Sequence, residues 1–210
     1  MKKTNLLLIL ILSSFTVQSQ ISAITETGDE VVLYNDGSWI YTDPFLNEVT
    51  EIKTNSYKFR KNKKSTFLLK SKVLNLGIYI NPKDWTFEKG GEINDETEYE
   101  FSYKHGDLYG LALTEEAELS LESLREIAIE NAKSTAPDIQ IVKEEYRTVN
   151  GIKILLLQLD GTIQGTKFTY LGYYFSNENG TVQFITYSTQ KLIKKYKNEC
   201  EKLLNGLVEL

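Results

Sequence analysis

Few side chains in this sequence of 210 residues are of the types that carry acid–base, nucleophilic or metal chemistry. There is one histidine, His105, and one cysteine, Cys200. His105 lies beside Gly106 and Asp107 in a sequence typical of a turn, and the sequence shows no partner that would orient its ring for proton transfer. We therefore interpret His105 as a solvated turn residue.

Cys200 falls on the apolar stripe of a predicted C-terminal helix, where a free cysteine packs as a small hydrophobe. One histidine and one cysteine are too few for a structural zinc site, which takes four such ligands. The acids Glu115, Glu116 and Glu118 lack the glycine turn of an EF-hand loop, and we interpret them as a solvated acidic loop. Neither a phosphate-binding glycine loop nor a Gly-x-Ser-x-Gly elbow occurs. The sequence thus predicts no catalytic residue, no metal and no cofactor, and we expect a protein that is not an enzyme.

Residues 1–19 have the pattern of a secretory signal peptide. Lys2 and Lys3 precede an uncharged apolar run over residues 6–12, and a cleavage site follows at Ser19. The apolar run is shorter than the roughly 20 residues that span a bilayer. No cysteine near the cleavage site offers a lipid attachment point. We expect a periplasmic or secreted chain that has no transmembrane segment once the signal is removed.

The composition limits the classes of partner. The full sequence carries a net charge of −5, and the predicted signal contributes only positive charge, so the mature chain is more acidic still. An acidic surface argues against nucleic-acid binding, which depends on positive charge. A single cysteine cannot form an internal disulfide, so the fold must rest on its hydrophobic core.

The mature N-terminus, residues 20–43, is predicted to form a small β-meander. Short β-prone runs are separated by turn sequences at Gly28 and at Asn35-Asp36-Gly37. A sheet of this size is marginal alone. We expect it to dock on the main domain or on a partner, with Trp39 and Tyr41 supplying the contact.

Residues 44–65 lose the hydrophobic pattern and are predicted to be a linker. We interpret the basic run over residues 58–64 as a solvated connector. The alternative is that Tyr57, Phe59 and Arg60 help attach the chain to anionic lipid head groups or to an acidic polymer.

Residues 66–210 are predicted to form an α+β domain with an antiparallel sheet. One helix begins after Ser120 and ends before Pro137, and a second covers residues 190–204. The strands predicted at residues 152–159 and 168–175 are apolar on both faces, so both faces need covers. The expected architecture is a helix-sheet-helix sandwich preceded by the small β-meander.

Aromatic residues are the other candidates for recognition. Trp85 closes a turn over residues 81–85, and we consider it both as a buried residue and as a candidate interaction residue. Eight of the 13 tyrosines fall on predicted strands: Tyr99, Tyr103, Tyr109, Tyr146, Tyr170, Tyr173, Tyr174 and Tyr187. We interpret most of them as sheet-packing residues. The alternative is an aromatic patch or groove that binds a partner or an apolar ligand.

Residues 77–85, Gly-Ile-Tyr-Ile-Asn-Pro-Lys-Asp-Trp, resemble the opening strand and turn of PsbP-like (DcrB-like) domains of exported bacterial proteins. Residues 172–207 are similar to the closing hairpin and amphipathic helix of that family, and the resemblance extends over residues 67–210. Residues 31–39 resemble a short N-terminal element of other exported proteins that lies outside the PsbP-like fold. Members of the group serve as scaffolding, assembly or stress-linked accessory proteins more often than as enzymes.

Three functions are compatible with these features of the sequence. The first is a non-catalytic accessory or interaction protein of the bacterial cell envelope, whose partner is an unknown envelope protein. The second is a binder of a small hydrophobic or lipidic ligand between sheet and helix, which requires an apolar cavity of about 300 Å³ or more. The third is a hydrolase, which requires two carboxyl groups within reach in one cleft.

Overall fold

A computed structural model of the chain describes residues 21–25, 28–34, 37–43, 52–90 and 97–210. The described residues belong to two compact units, an N-terminal one and a C-terminal one that begins at Ile52. The predicted signal peptide and the turn residues Asn35 and Asp36 lie outside the described residues.

The N-terminal unit contains a three-stranded antiparallel sheet, where the sequence predicts three β runs. Its strands are β1 (Ile21–Ile24), β2 (Glu30–Leu33) and β3 (Trp39–Tyr41). Ile21 pairs with Leu33, which pairs with Trp39. Because side chains alternate along a strand, these three apolar side chains share one face of the sheet.

The C-terminal unit is built on an eight-stranded sheet with the order β4-β10-β11-β12-β13-β9-β8-β7. The strands are β4 (Thr54–Phe59), β7 (Trp85–Lys89), β8 (Thr97–Tyr103), β9 (Tyr109–Glu115), β10 (Gln140–Val149), β11 (Ile152–Ile163), β12 (Thr166–Asn177) and β13 (Gly180–Thr189). Neighbouring strands are antiparallel, except that β4 is parallel to β10.

A second, three-stranded sheet has the order β14-β6-β5. It consists of β5 (Phe67–Lys70), β6 (Leu76–Ile80) and β14 (Leu207–Glu209), and the two helices are α1 (Leu121–Thr135) and α2 (Gln190–Leu204). The predicted start of α1 is confirmed, because the Ser120 hydroxyl accepts a hydrogen bond from the Ser123 amide. The predicted turn between β10 and β11 is also confirmed, with positive φ angles at Asn150 and Gly151.

The predicted linker is wrong in its second half. Residues from Ile52 onward belong to the C-terminal unit, and Thr54–Phe59 forms the edge strand β4. Most side chains of β4 are exposed, so the strand has no hydrophobic run, and lysines are common on edge strands because they discourage further pairing. Strands β7 and β14 were likewise not predicted.

Alternate side chains of the central strands enter two separate cores, as the two-sided apolar pattern predicts. Leu156 packs in the core that contains Leu203 of α2, whereas Leu155 and Leu157 pack in the core that contains Leu124 of α1. The small sheet also packs in the first core, so helix α2 is not the sole cover on that side. In the described part of the chain, no helix has the length and apolar content needed to cross a bilayer.

Candidate binding surface

Helix α1 packs on β11 and β12, and the same face of the large sheet continues onto β13, β9, β8 and β7. Beyond the helix, this face carries half-buried or exposed side chains. We name the following group the tyrosine face: Tyr109, Leu111, Leu113, Tyr170, Ile185 and Tyr187. Its side chains are apolar or aromatic, and their partial exposure makes it a candidate binding surface.

Three tyrosines form a row across the tyrosine face. Tyr109 on β9 pairs with Tyr187 on β13, which pairs with Tyr170 on β12. The ring centroids are 5.7 Å apart in the first pair and 6.0 Å apart in the second, and the rings are tilted by only 29° and 32°. Tyr109, at the outer end, is 41% exposed. Strand pairing therefore builds a nearly parallel aromatic row.

The hydroxyl groups of this row are free to bond to a ligand. Among the described residues, the hydroxyls of Tyr109, Tyr170 and Tyr187 have no hydrogen-bond partner. By contrast, the Tyr99 hydroxyl donates to the Lys70 carbonyl at 2.7 Å. Burial raises the pKa of Tyr170 and of Tyr187 above the ordinary value, so both are neutral phenols at neutral pH that can donate and accept.

An acidic pair borders the tyrosine row. Glu100 on β8 lies between Leu111 on β9 and Glu88 on the edge strand β7. The carboxylate of Glu100 also contributes to the raised pKa of Tyr187, after the larger effect of burial. The Oε1 atom of Glu100 is buried and lacks a hydrogen-bond partner among the described residues. Two carboxylates that face each other, one of them incompletely solvated, are unfavourable in the free protein.

Three of the sequence-predicted interaction residues lie together at the opposite edge of the sheet. Tyr57 on β4 is 66% exposed, and its ring contacts Phe59 edge-to-face with centroids 4.8 Å apart. Arg60 is exposed beside them, whereas Phe59 is half-buried beneath the guanidinium of Arg147 at 4.2 Å. Phe59 is therefore partly a packing residue.

The two predicted tryptophans have different environments. Trp39 is 49% exposed in the N-terminal unit, where its ring lies edge-to-face against Tyr41 at 5.0 Å. Trp85 is 3% exposed and packs in the core that contains Leu203. The proposal of Trp85 as an interaction residue is wrong, because a side chain enclosed in the core cannot contact a partner.

His105 is an exposed turn residue, as the sequence predicts, and it lies near the carboxylate of Asp84. Its Nε2 atom lies 3.5 Å from the Asp84 Oδ1 atom, and Asp84 also accepts a hydrogen bond from Asn81. Asp84 and Glu199 line a polar cleft of about 110 Å³. Glu199 already accepts a hydrogen bond from Lys202 at 2.7 Å. The cleft therefore holds two carboxylates, each engaged with a neighbouring side chain.

The other chemically capable groups are enclosed or dispersed. Cys200 is fully buried, and burial raises the pKa of its thiol to about 11, which agrees with its prediction as a packing residue. Within the described ranges, no three His, Cys, Asp or Glu side chains converge as metal ligands. The apolar cavity between the two sheets, lined by Leu69 and Val182 among others, measures only about 10 Å³. It has room for about one water molecule rather than a lipid.

No family model and no curated protein matches the sequence. The solution structure of cyanobacterial PsbP (CyanoP) from Synechocystis sp. PCC 6803 matches with a TM-score of 0.55 and 9% identity, over 71% of this chain and 95% of CyanoP. LpqN, described as involved in cell envelope biogenesis of Mycobacterium tuberculosis, matches with a TM-score of 0.48 and 10% identity, over 63% of this chain and 82% of LpqN. The chain has a mixed α+β fold of the PsbP-like type, as the resemblance in its sequence implies.

Proposed function

We propose that this chain is a non-catalytic accessory protein of the bacterial cell envelope that binds a partner protein through its tyrosine face. One observation carries the proposal: Tyr109, Tyr187 and Tyr170 lie in register on one sheet face, and their hydroxyls have no partner among the described residues. Tyrosine is enriched at protein interfaces because it combines a large apolar ring with a polar group. Each of these hydroxyls can both donate and accept a hydrogen bond, so a partner protein that covers this face can bond to them directly.

The described residues favour binding over hydrolysis. Asp84 is engaged by Asn81 and His105, and Glu199 is engaged by Lys202. Cys200 is enclosed and its raised pKa keeps the thiol protonated. The cavity of about 10 Å³ between the sheets gives no support to a lipid-sized ligand there.

The PsbP-like fold is compatible with this role but does not decide it, because one fold hosts many functions. The proposal includes export by residues 1–19 to the periplasm or beyond. It also includes a helix-sheet-helix arrangement of α1, the large sheet and α2. The N-terminal three-stranded sheet, with Trp39 and Tyr41, is a second contact element in this proposal.

Site-specific photo-crosslinking in the producing bacterium tests the proposal. A benzophenone amino acid replaces Ser102, which is exposed and pairs with Tyr109 at the tyrosine face. The control carries the same probe in place of Lys70, an exposed residue of the small sheet. We expect a discrete crosslinked protein from position 102 and none from position 70.

The second half of this test asks whether the crosslink depends on a tyrosine of the tyrosine face. Tyr109→Ser is expected to abolish the crosslink from position 102, whereas Tyr57→Ser, which alters an exposed tyrosine on β4, is expected to retain it. Identical products from both probe positions, or a crosslink that survives Tyr109→Ser, would contradict the proposed function.

A further inference from the structure

We infer that the tyrosine face recognises an arginine-bearing segment of its partner protein, with the guanidinium held by Glu100 and Glu88 and stacked on the adjacent tyrosine rings. This inference rests on the proposed function and adds the chemistry of the partner. It starts from the acidic pair Glu100 and Glu88, which face each other across β8 and β7. The pair continues the row of Ile185 and Leu111, which lies directly beside the tyrosine row on the same face of the sheet.

The acidic pair has no internal cation. Among the described residues, neither Glu88 nor Glu100 forms an ion pair or a side-chain hydrogen bond. Two other partly enclosed acids are paired with arginines: Glu144 lies 2.6 Å from Arg125, and Glu145 lies 2.5 Å from Arg147. The acidic pair is therefore an uncompensated negative charge beside an apolar surface.

The aromatic rings next to the acidic pair are also without cations. Elsewhere in the chain, Lys153 lies over the Tyr146 ring at 4.1 Å, and Lys61 lies over the Tyr79 ring at 4.4 Å. In the described residues, the rings of the tyrosine row have no such cation. The face thus lacks the positive groups that both its carboxylates and its rings attract.

A guanidinium satisfies these groups together. Its planar fork of N–H donors can reach the free Oε1 atom of Glu100 and the Glu88 carboxylate. Its flat face can stack on a tyrosine ring, which an ammonium group does less well. The phenol oxygens of the tyrosine row can accept hydrogen bonds from backbone N–H groups of the partner segment that carries the arginine. Acidic peptides, nucleic acids and anionic lipid surfaces are disfavoured, because the same carboxylates repel them.

The edge position of β7 makes this arrangement accessible. β7 is the last strand of the large sheet, so Glu88 can be approached from the side as well as from above the face. Glu88 is exposed and Glu100 is half-buried. We therefore expect Glu100 to contribute more to affinity, because a charge pair with less water around it is screened less.

Peptide binding to the mature protein, residues 20–210, tests the inference. The probe is a ten-residue peptide of alternating arginine and glycine. The matched control replaces every arginine by citrulline, which has nearly the same shape but no charge. Nuclear magnetic resonance is expected to show shifts at Tyr187 and Glu100 with the arginine peptide only. We expect Glu100→Gln to weaken this binding about tenfold, the loss typical of one charge-assisted hydrogen bond.

Two further variants make the result decisive. Glu88→Gln is expected to weaken binding as well and to leave the unfolding temperature unchanged or higher, because it removes a like charge facing Glu100. Glu126→Gln, which alters an exposed acid on α1, is expected to bind like the wild type. Equal binding of the citrulline peptide, or unchanged affinity in both Glu88→Gln and Glu100→Gln, would overturn the inference. In that case a crosslink from position 102 that still depends on Tyr109 leaves the proposed function intact, whereas loss of that dependence refutes the function itself.

Discussion

The guanidinium of Arg147 donates a hydrogen bond from Nη1 to the hydroxyl oxygen of Tyr173, with the two atoms 2.9 Å apart inside the protein. Arg147 is 3% exposed, and its Nε atom also donates to Glu145 at 2.5 Å. The Tyr173 hydroxyl in turn donates to the Asn205 side chain at 2.8 Å. This chain of bonds connects β10 and β12 to the end of α2.

Arg147→Met is expected to destabilise the protein, because it removes the cation that faces Glu145 and the donor to Tyr173. Loss of one partner of a buried ion pair typically costs 3–5 kcal/mol, but Lys143 remains 3.1 Å from Glu145, so we expect about 2–3 kcal/mol. Chemical denaturation measures this difference. Adding Glu145→Gln to Arg147→Met should restore part of the loss, and a double variant as unstable as the sum of both single changes would contradict the coupling.

Tyr173→Phe is expected to change the dependence of stability on alkaline pH. Burial raises the pKa of Tyr173 from its ordinary value of 10.0 to about 12, although the neighbouring Arg147 lowers it. Between pH 10 and about pH 12, the Tyr173 hydroxyl keeps its proton in the folded protein but releases it in the unfolded chain. Its stabilising contribution is therefore complete below pH 10 and is lost as the pH rises toward about 12.

The measurement is the free energy of unfolding between pH 9 and pH 11, the practical range for this experiment. In Tyr173→Phe, the free energy of unfolding should decline less with rising pH than it does in the wild type. Tyr57→Phe, which alters an exposed ring, should keep the decline of the wild type. Superimposable profiles for Tyr173→Phe and the wild type would refute the role given to this hydroxyl.

Ser120→Ala is expected to lower stability by about 1 kcal/mol through loss of the helix cap. The Ser120 hydroxyl accepts from the Ser123 amide at 3.0 Å at the first turn of α1, and an amide without that partner must rely on water. Thermal unfolding followed by circular dichroism measures the change. Ser134→Ala, at the exposed far end of the same helix, serves as the control and should alter stability by less than about 0.5 kcal/mol.

Cys200 is expected to resist thiol reagents in the folded protein. The side chain is fully buried, and its pKa is raised to about 11, so both access and thiolate formation are suppressed. A colorimetric thiol assay should detect about one reactive thiol per chain in denaturant and almost none without it. Rapid labelling under native conditions would show that α2 opens readily from the sheet.

Local signals in the sequence are sufficient to predict several elements of the fold. The Ser120 cap and the Asn150-Gly151 turn depend only on neighbouring residues, so their residue types predict them. Strand β4 was missed because its stability comes from pairing with β10, whose sequence is distant, and not from a hydrophobic run of its own. Tertiary pairing overrides weak local preference in such edge strands.

The candidate site was only partly predictable for a related reason. Tyr109, Tyr170 and Tyr187 were each assigned to strands, but the row exists because of the register of β9, β13 and β12, which the sequence does not reveal. The proximity of His105 and Asp84 is likewise not visible in the sequence, because the two residues belong to different turns. Contacts set by strand order and register need the folded structure.

The order of strands in the C-terminal unit also has a consequence for the timing of folding. β4, near the beginning of the unit, pairs with β10, and β6 pairs with β14, whose residues are synthesised last among the strands described. Folds dominated by such long-range pairings form slowly, because the closure of long loops precedes the gain from contacts. We therefore expect the C-terminal unit to complete its two sheets only after β14 has been synthesised. For the export included in the proposed function, such a delay would leave the chain extended for longer, which is the form that a secretion channel threads.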